Sequence, residues 1–330
     1  METKSSVNKE SIIGSKVVVI GGGTGNAVIL RGLKKFTHYI TAIVTVADDG
    51  GGSGVLREDL GMLPPGDIRS CILALADDES IMQELLNYRF KEGRLQGQCF
   101  GNLFIAAMNS ISNNFVEAIK NVSEVMAVKG KVLPVTLEDI TLTAQLANGD
   151  VINGESIIPE MVRKRKSKIN SVSINPSSVC ALPYCLDAIA EADIIILGPG
   201  SLYTSIIPNL LVDKVEEALS CSKAKKYYIC NIMTQPGETD NYDLYDHVIS
   251  IEQHLKFSNR IFDYIIANIG EVDDSTLRGY ALEGSKLVKA DLSRFPHGKY
   301  QLILDNYVDI KNDYIRHDAE KIAERILLNT

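Results

Sequence analysis

A chain of 330 residues is about twice a typical domain length, and roughly 75% of its unfolded surface can be buried on folding, so core size sets no limit. Its composition, 45% hydrophobic and 23% charged with 25 glycines and 10 prolines, excludes collagen-like and generally disordered classes. A net charge of −8 opposes any broad attraction to nucleic acid or an anionic membrane, so neither is expected as a partner, while an anionic small ligand can still bind locally.

The first 15 residues are polar and predict a disordered tail ahead of a single domain over 16–330. They lack the apolar stretch of a secretory signal, and no later segment approaches the roughly 20 apolar residues of a membrane span, which predicts a cytoplasmic protein. Six cysteines (Cys71, Cys99, Cys180, Cys185, Cys221, Cys230) contain no Cys-x-x-Cys pair and read as reduced and mostly buried. Five histidines show no His-Glu-x-x-His spacing, so no metal site is expected from them.

Lys16 to Ile20 is apolar and β-branched, breaks at Gly21-Gly22-Gly23-Thr24-Gly25, and is followed by Val28, Ile29, Gly32, Leu33 and Phe36 at helical spacing. Strand, glycine turn and helix follow from that pattern. Backbone N–H groups at such a turn, with the positive end of the helix dipole, suit a phosphate; the alternative is that the glycines only make a tight turn. The dinucleotide fingerprint wants glycine at its sixth position, where Asn26 stands, and the first candidate ribose acid, Asp48, comes 27 residues after Gly21, so an ordinary NAD enzyme is not expected.

A second strand, Ile40 to Val46, runs into Asp48-Asp49-Gly50-Gly51-Gly52-Ser53 and completes a βαβ unit. These two carboxylates either hold ribose hydroxyls or a divalent ion, or merely cap the loop. In Pro64-Pro65-Gly66-Asp67-Ile68-Arg69, Asp67 sits near a helix start and Arg69 in its first turn, a phosphate fork or a salt bridge. Asn102, at the opening of an apolar helix, is a base- or sugar-reading amide or a cap.

Lys131 to Pro159 alternates and offers an Asn148-Gly149 turn, which predicts a small antiparallel insertion over about 131–175. The run Arg163 to Lys168 reads as a solvated loop. Strand grammar returns in Asp193 to Leu197 before Gly198-Pro199-Gly200-Ser201, in Tyr227 to Met233 before Thr234-Gln235-Pro236-Gly237, and in Tyr264 to Ala267 before Asn268-Ile269-Gly270. Gly200 and Ser201 are a second candidate phosphate loop. A closing helix is predicted over about His317 to Leu328. The fold class is therefore α/β, a Rossmann-like, mostly parallel sheet with helices on both faces.

The segments VVVIGGGTGNAVILRGLK, TAIVTVADDGGGSGVLREDL, PPGDIR, FGNLFIAAM, GPGSLYTSIIPNLL, YICNIMTQPGET and YIRHD, spread from about Lys16 to Asp318, resemble the YvcK-like gluconeogenesis factors, relatives of the CofD-like 2-phospho-L-lactate transferases. The resemblance implies a regulator that binds UDP-N-acetylglucosamine, needs no cofactor, and links carbon supply to cell-wall precursor synthesis and cell shape through a partner protein. Homo-oligomers are a further expectation. The alternative it implies is a transferase of a phospholactyl-like group from a nucleotide-activated donor, with Mg2+ on Asp48 or Asp49. The family's ligand contacts would fall on Gly22, Gly23, Thr24, Gly25, Asn26, Asp48, Asp49, Asn102, Gly200, Ser201, Tyr280 and Arg316, beside Asp67 and Arg69 read from the residues themselves. No catalytic triad, reactive cysteine or acid/base carboxylate pair is legible, so no catalytic residue is assigned. The sequence departs from the family at Ala319, where phosphorylation would need a hydroxyl.

Overall fold

Val17–Gly21 (β1) is buried at every position, as the continuous apolar run requires of a parallel strand covered on both faces. The computed structural model describes residues 14–77, 80–258, 260–311 and 314–328. Most of the predicted tail lies outside them, but Ser15 is already ordered, its carbonyl accepting the Thr37 hydroxyl.

From β1 the chain runs through α1 (Gly23–Leu33), β2 (Ile40–Val44), α2 (Gly51–Leu60), α3 (Gly66–Leu75), α4 (Ser80–Asn87), α5 (Phe100–Ile111), α6 (Phe115–Val125) and β3 (Lys131–Pro134). An antiparallel unit follows, with β4 (Thr141–Leu146), β5 (Val151–Asn153), α7 (Ile158–Arg165) and β6 (Ile169–Asn175). The second half holds α8 (Pro183–Glu191), β7 (Ile194–Leu197), a π-helical turn at Leu202–Ile206, α9 (Ile207–Leu211), α10 (Val215–Cys221), β8 (Lys225–Ile229), α11 (Leu244–Glu252) and β9 (Tyr264–Asn268). It ends with α12 (Asp274–Glu283), β10 (Gln301–Asp305), the hairpin β11 (Val308–Lys311) and β12 (Tyr314–His317), and α13 (Ala319–Leu328).

Seven strands form one sheet in the order β10-β9-β8-β7-β1-β2-β3, all parallel. The chain builds outward from β1 through β2 to β3, then returns to the other flank of β1 and builds β7 to β10. Loops leaving the C-terminal ends of β1 and β7 therefore diverge, and the crevice between them is where an open α/β sheet binds ligands. Helix α1 packs against α3 and α13, and α13 buries Ile322, Ala323, Ile326 and Leu327 at the predicted spacing.

Two expectations shift. The antiparallel insertion starts at Thr141, not 131, because Lys131–Pro134 pairs with β2 as the parallel edge strand of the main sheet and is buried at its last three positions. The closing helix starts at Ala319, since His317 pairs with Val308 in the hairpin. All six cysteines are free, four of them buried. Among the described residues no helix is long and apolar enough to cross a membrane.

Candidate functional site

A cavity of about 540 Å3 opens where the loops after β1 and β7 part. Its floor is the turn Gly22–Gly25 at the start of α1, where the N-cap residue Gly22 has no side chain and the Asp67 carboxyl takes a bond from the Gly23 N–H. Glycine is required there by close approach. A Cβ on Gly22 would lie 2.5 Å from an Asp67 carboxylate oxygen, and one on Gly25 would lie 2.6 Å from the Pro199 carbonyl. The two loops approach through backbone, and the N-terminal turn of α1 lines the cavity, where a helix start favours negative charge.

The opposite wall is Pro199, Gly200 and Ser201, braced by the loop after β8. Asn231 holds Gly200 from both sides: its Nδ2 donates to the Gly200 carbonyl at 2.8 Å and its Oδ1 accepts the Gly200 N–H at 3.1 Å. That N–H is therefore spent within the protein. Gln235 Nε2 donates to Ser201 Oγ at 2.7 Å, which leaves the hydroxyl proton of Ser201 for a ligand.

Carboxylates make the third wall. Asp48 accepts the Gly50 N–H at 2.9 Å and lines the cavity with Asp67 and Glu155. Burial, and then the charge of Asp48, pushes Asp67 up to about 7, against a stabilising bond from the Gly23 N–H. Burial, followed by Asp48, Glu238 and Asp67, pushes Glu155 up to about 8. Behind it, Glu238 is buried and raised to about 7; it accepts the Tyr203 N–H and the Thr204 hydroxyl, both at 3.3 Å. Burial first, and for Asp67 and Glu155 the neighbouring acids second, disfavours the charged forms, so all three carboxyls keep protons to higher pH than exposed ones do.

The mouth is closed by α12 and the β11–β12 hairpin. Tyr280 lines the cavity while its hydroxyl accepts the Ile315 N–H at 2.8 Å, tying the two elements together. Arg316 lines it with its guanidinium 5.4 Å from the Tyr314 ring centre, and no carboxylate pairs with it among the described residues. His317 is held neutral: burial pushes it down to about 4, and its Nε2 lies 3.0 Å from the Cys230 carbonyl, which makes that nitrogen the donor.

Ten predicted positions thus line one cavity: Gly22, Gly23, Thr24, Gly25, Asp48, Asp67, Gly200, Ser201, Tyr280 and Arg316. Four do not. Asn26 is buried inside α1, its Nδ2 3.9 Å from Cys71 Sγ on α3. Asp49 turns away and accepts the Glu155 and Ser156 N–H groups at 3.0 and 2.8 Å. Arg69 donates to the Leu86 carbonyl at 3.1 Å and contacts Cys99 Sγ, so its fork is used on the α4–α5 connection. Asn102 is the third residue of α5 and not its cap; it is 4% exposed, its Nδ2 lies 3.5 Å from Ser53 Oγ, and its Oδ1 has no partner among the described residues.

Glu155, Asn231, Gln235 and His317 line the cavity without having been predicted. The loop after β8 was legible as a strand end, so Asn231 and Gln235 had a signal. Glu155 had none, because it arrives on the loop after β5.

Among the described residues no three His, Cys, Asp or Glu side chains converge as a ready metal cage. Asp48 and Asp67 are the two acids that could share one ion, and Mg2+ commonly binds one or two carboxylates with ligand phosphates and water completing the shell.

Comparison with known proteins agrees with the geometry. The family described as 2-phospho-L-lactate transferase CofD matches residues 17–308. A relative from Thermoanaerobacterium thermosulfurigenes, named in the gluconeogenesis-factor group, is 57% identical over 95% of this chain and 96% of its own length. The gluconeogenesis factor of Bacillus subtilis (strain 168) is 45% identical over 94% and 97%. A crystal structure of a UPF0052 family member from Bacillus halodurans superposes with a TM-score of 0.89 at 43% identity, covering 94% of this chain and 99% of that one. The chain therefore belongs to the CofD family, among its gluconeogenesis factors.

Proposed function

We propose that the cavity binds a nucleotide-activated sugar, UDP-N-acetylglucosamine, without consuming it, and that the protein is a regulator linking carbon metabolism to cell-wall precursor synthesis and cell shape. The observation that carries this reading is the meeting of three phosphate-suited groups on one cavity of about 540 Å3: the N-terminal turn of α1, the Ser201 hydroxyl, and the Arg316 guanidinium, which has no carboxylate partner among the described residues. A diphosphate can be held by these groups, and a sugar can take donors from protonated Glu155 and Asp67. The names of the relatives support a role in carbon metabolism. A protein of amino-sugar or cell-wall precursor synthesis is the proposed partner, and no cofactor is required.

A second reading has its own support in the acidic wall and the CofD family: transfer of a phospholactyl-like group, with Mg2+ between Asp48, Asp67 and the donor's phosphates. A thermal-shift screen of UDP-sugars, GDP derivatives and NAD(P) separates the two, since a ligand at 100 times its Kd adds about 2.7 kcal/mol. The regulator reading expects stabilisation by UDP-N-acetylglucosamine that survives EDTA, with the ligand recovered intact by chromatography. Turnover of that ligand, or a strict requirement for Mg2+ and a guanosine donor, favours the transferase.

A further inference from the structure

Helix α1 and the start of α13 meet at Gly32 and Ala319, so closely that a Cβ on Gly32 would lie 2.3 Å from the Ala319 carbonyl oxygen. That contact brings Arg31 on α1 and Arg316 on β12 to the walls of a second cavity, of about 510 Å3. It adjoins the first, because Val28, Arg316 and His317 line both. Its charged side chains are unevenly matched. Lys35 is paired with Glu320 and Lys311 with Asp309, while Asp318 accepts the Lys321 N–H at 3.0 Å at the start of α13. Two guanidinium groups are left over: among the described residues neither Arg31 nor Arg316 has a carboxylate partner. Desolvation holds Arg31 below the ordinary guanidinium range, and no carboxylate offsets it. Unpaired cations on the wall of a cavity draw an anion into it.

We propose that this cavity is a second anion site, which holds a phosphate-bearing small molecule on Arg31 and Arg316 and opposes binding in the first cavity through the guanidinium that the two share. The planar fork of arginine matches two oxygens of a phosphate or of a carboxylate. The acids on the same walls favour phosphate. Near neutral pH a phosphate keeps a proton on one oxygen for part of the time and can donate it to Asp309 or Asp318, whereas an ionised carboxylate only accepts and meets those acids as a like charge. The opposition follows from position. Arg316 lines both cavities, and two anions that share one guanidinium repel each other, so occupancy of one site weakens the other.

Titration calorimetry on the full chain with inorganic phosphate, at an ionic strength held constant with sodium chloride, tests this. Arg31→Gln should weaken phosphate by about tenfold, the loss of one charge-assisted contact, and Arg31→Lys by less. Ser201→Ala, at a residue that lines only the first cavity, should leave the Arg31-dependent binding in place. Acetate should not replace phosphate. The opposition between sites rests on the reading of the first cavity as a nucleotide-sugar site. Saturating phosphate should lower the affinity for UDP-N-acetylglucosamine several-fold in the wild type but not in Arg31→Gln, whose affinity in chloride alone should match the wild type. Phosphate binding that is unchanged in both Arg31 variants, lost in Ser201→Ala or matched by acetate would overturn the proposal, as would a wild-type nucleotide-sugar affinity indifferent to phosphate. If UDP-N-acetylglucosamine does not bind at all while phosphate still depends on Arg31, the second site stands and the reading of the first cavity falls.

Discussion

Asp49 holds Glu155 by the backbone: its Oδ2 accepts the Glu155 N–H at 3.0 Å and its Oδ1 the Ser156 N–H at 2.8 Å, across more than 100 residues of chain. The loop after β5 is thereby fastened to the end of β2, and the Glu155 carboxyl is delivered to the cavity. Two charge-assisted bonds of this type commonly contribute about 1.5 to 3 kcal/mol each when buried, and less where water competes. Asp49→Ala should therefore lower stability by about 1 to 2 kcal/mol and weaken the nucleotide-sugar several-fold, with Asp49→Asn recovering part because one acceptor remains. Calorimetry and a denaturant melt read the two effects separately. Lower stability with unchanged affinity would mean that Glu155 does not contribute to binding.

That pair also shows where sequence reasoning reached its limit. The strand ends were legible because a parallel strand buried on both faces must be an unbroken apolar run, and its glycine-bearing exit loop marks the ligand edge of the sheet. Side-chain direction was not. Asp48 and Asp49 are neighbours in the loop after β2, yet one lines the cavity and the other is turned onto the loop after β5. Asp67 and Arg69 are two residues apart on a helix, about 200° round its axis, which is why one faces the cavity and the other faces Leu86. Residue type and spacing located the site. Choosing the inward member of each pair needed the tertiary contacts.

The raised carboxyls predict a pH dependence with a definite sign. Asp67, Glu155 and Glu238 bind protons more tightly in the folded chain, at about 7, 8 and 7, than in the unfolded chain, near 4. Their contribution is fully present below pH ~4 and is lost as pH rises through the folded values, so the ligand-free protein should lose stability between about pH 5 and pH 8. Glu155→Gln should flatten that slope. A slope that is unchanged in this variant would show that Glu155 is ionised in the folded protein.

Ligand binding should move the same protons. A diphosphate placed beside these acids raises them further, so the regulator reading expects net proton uptake near pH 7, seen as a dependence of the binding enthalpy on buffer ionisation enthalpy. Binding together with Mg2+ on Asp48 and Asp67 expects the reverse, because a cation displaces protons from its ligands. Uptake that shrinks in Glu155→Gln places that carboxyl against the ligand; release would turn the assignment toward the metal-dependent transferase.

Arg316 offers the sharpest separation of ligand binding from folding. It pairs with no carboxylate among the described residues and rests on the Tyr314 ring at the mouth of the cavity, so its loss removes little from the fold. Opposite it in the hairpin, Asp309 is already paired with Lys311 at 2.6 Å. A guanidinium can grip two phosphate oxygens, and a charge-assisted contact of this kind is commonly worth about 1.5 to 3 kcal/mol. Arg316→Ala should weaken the nucleotide-sugar by roughly ten- to a hundredfold, at about 1.4 kcal/mol per tenfold, with the melting temperature of the ligand-free protein nearly unchanged. Arg316→Lys should recover only part of the loss, since a point charge replaces the planar fork. Titration calorimetry on the three proteins decides it: equal affinities would take Arg316 out of the site, and a lowered melting temperature without a change in affinity would make its stacking on Tyr314 its main role.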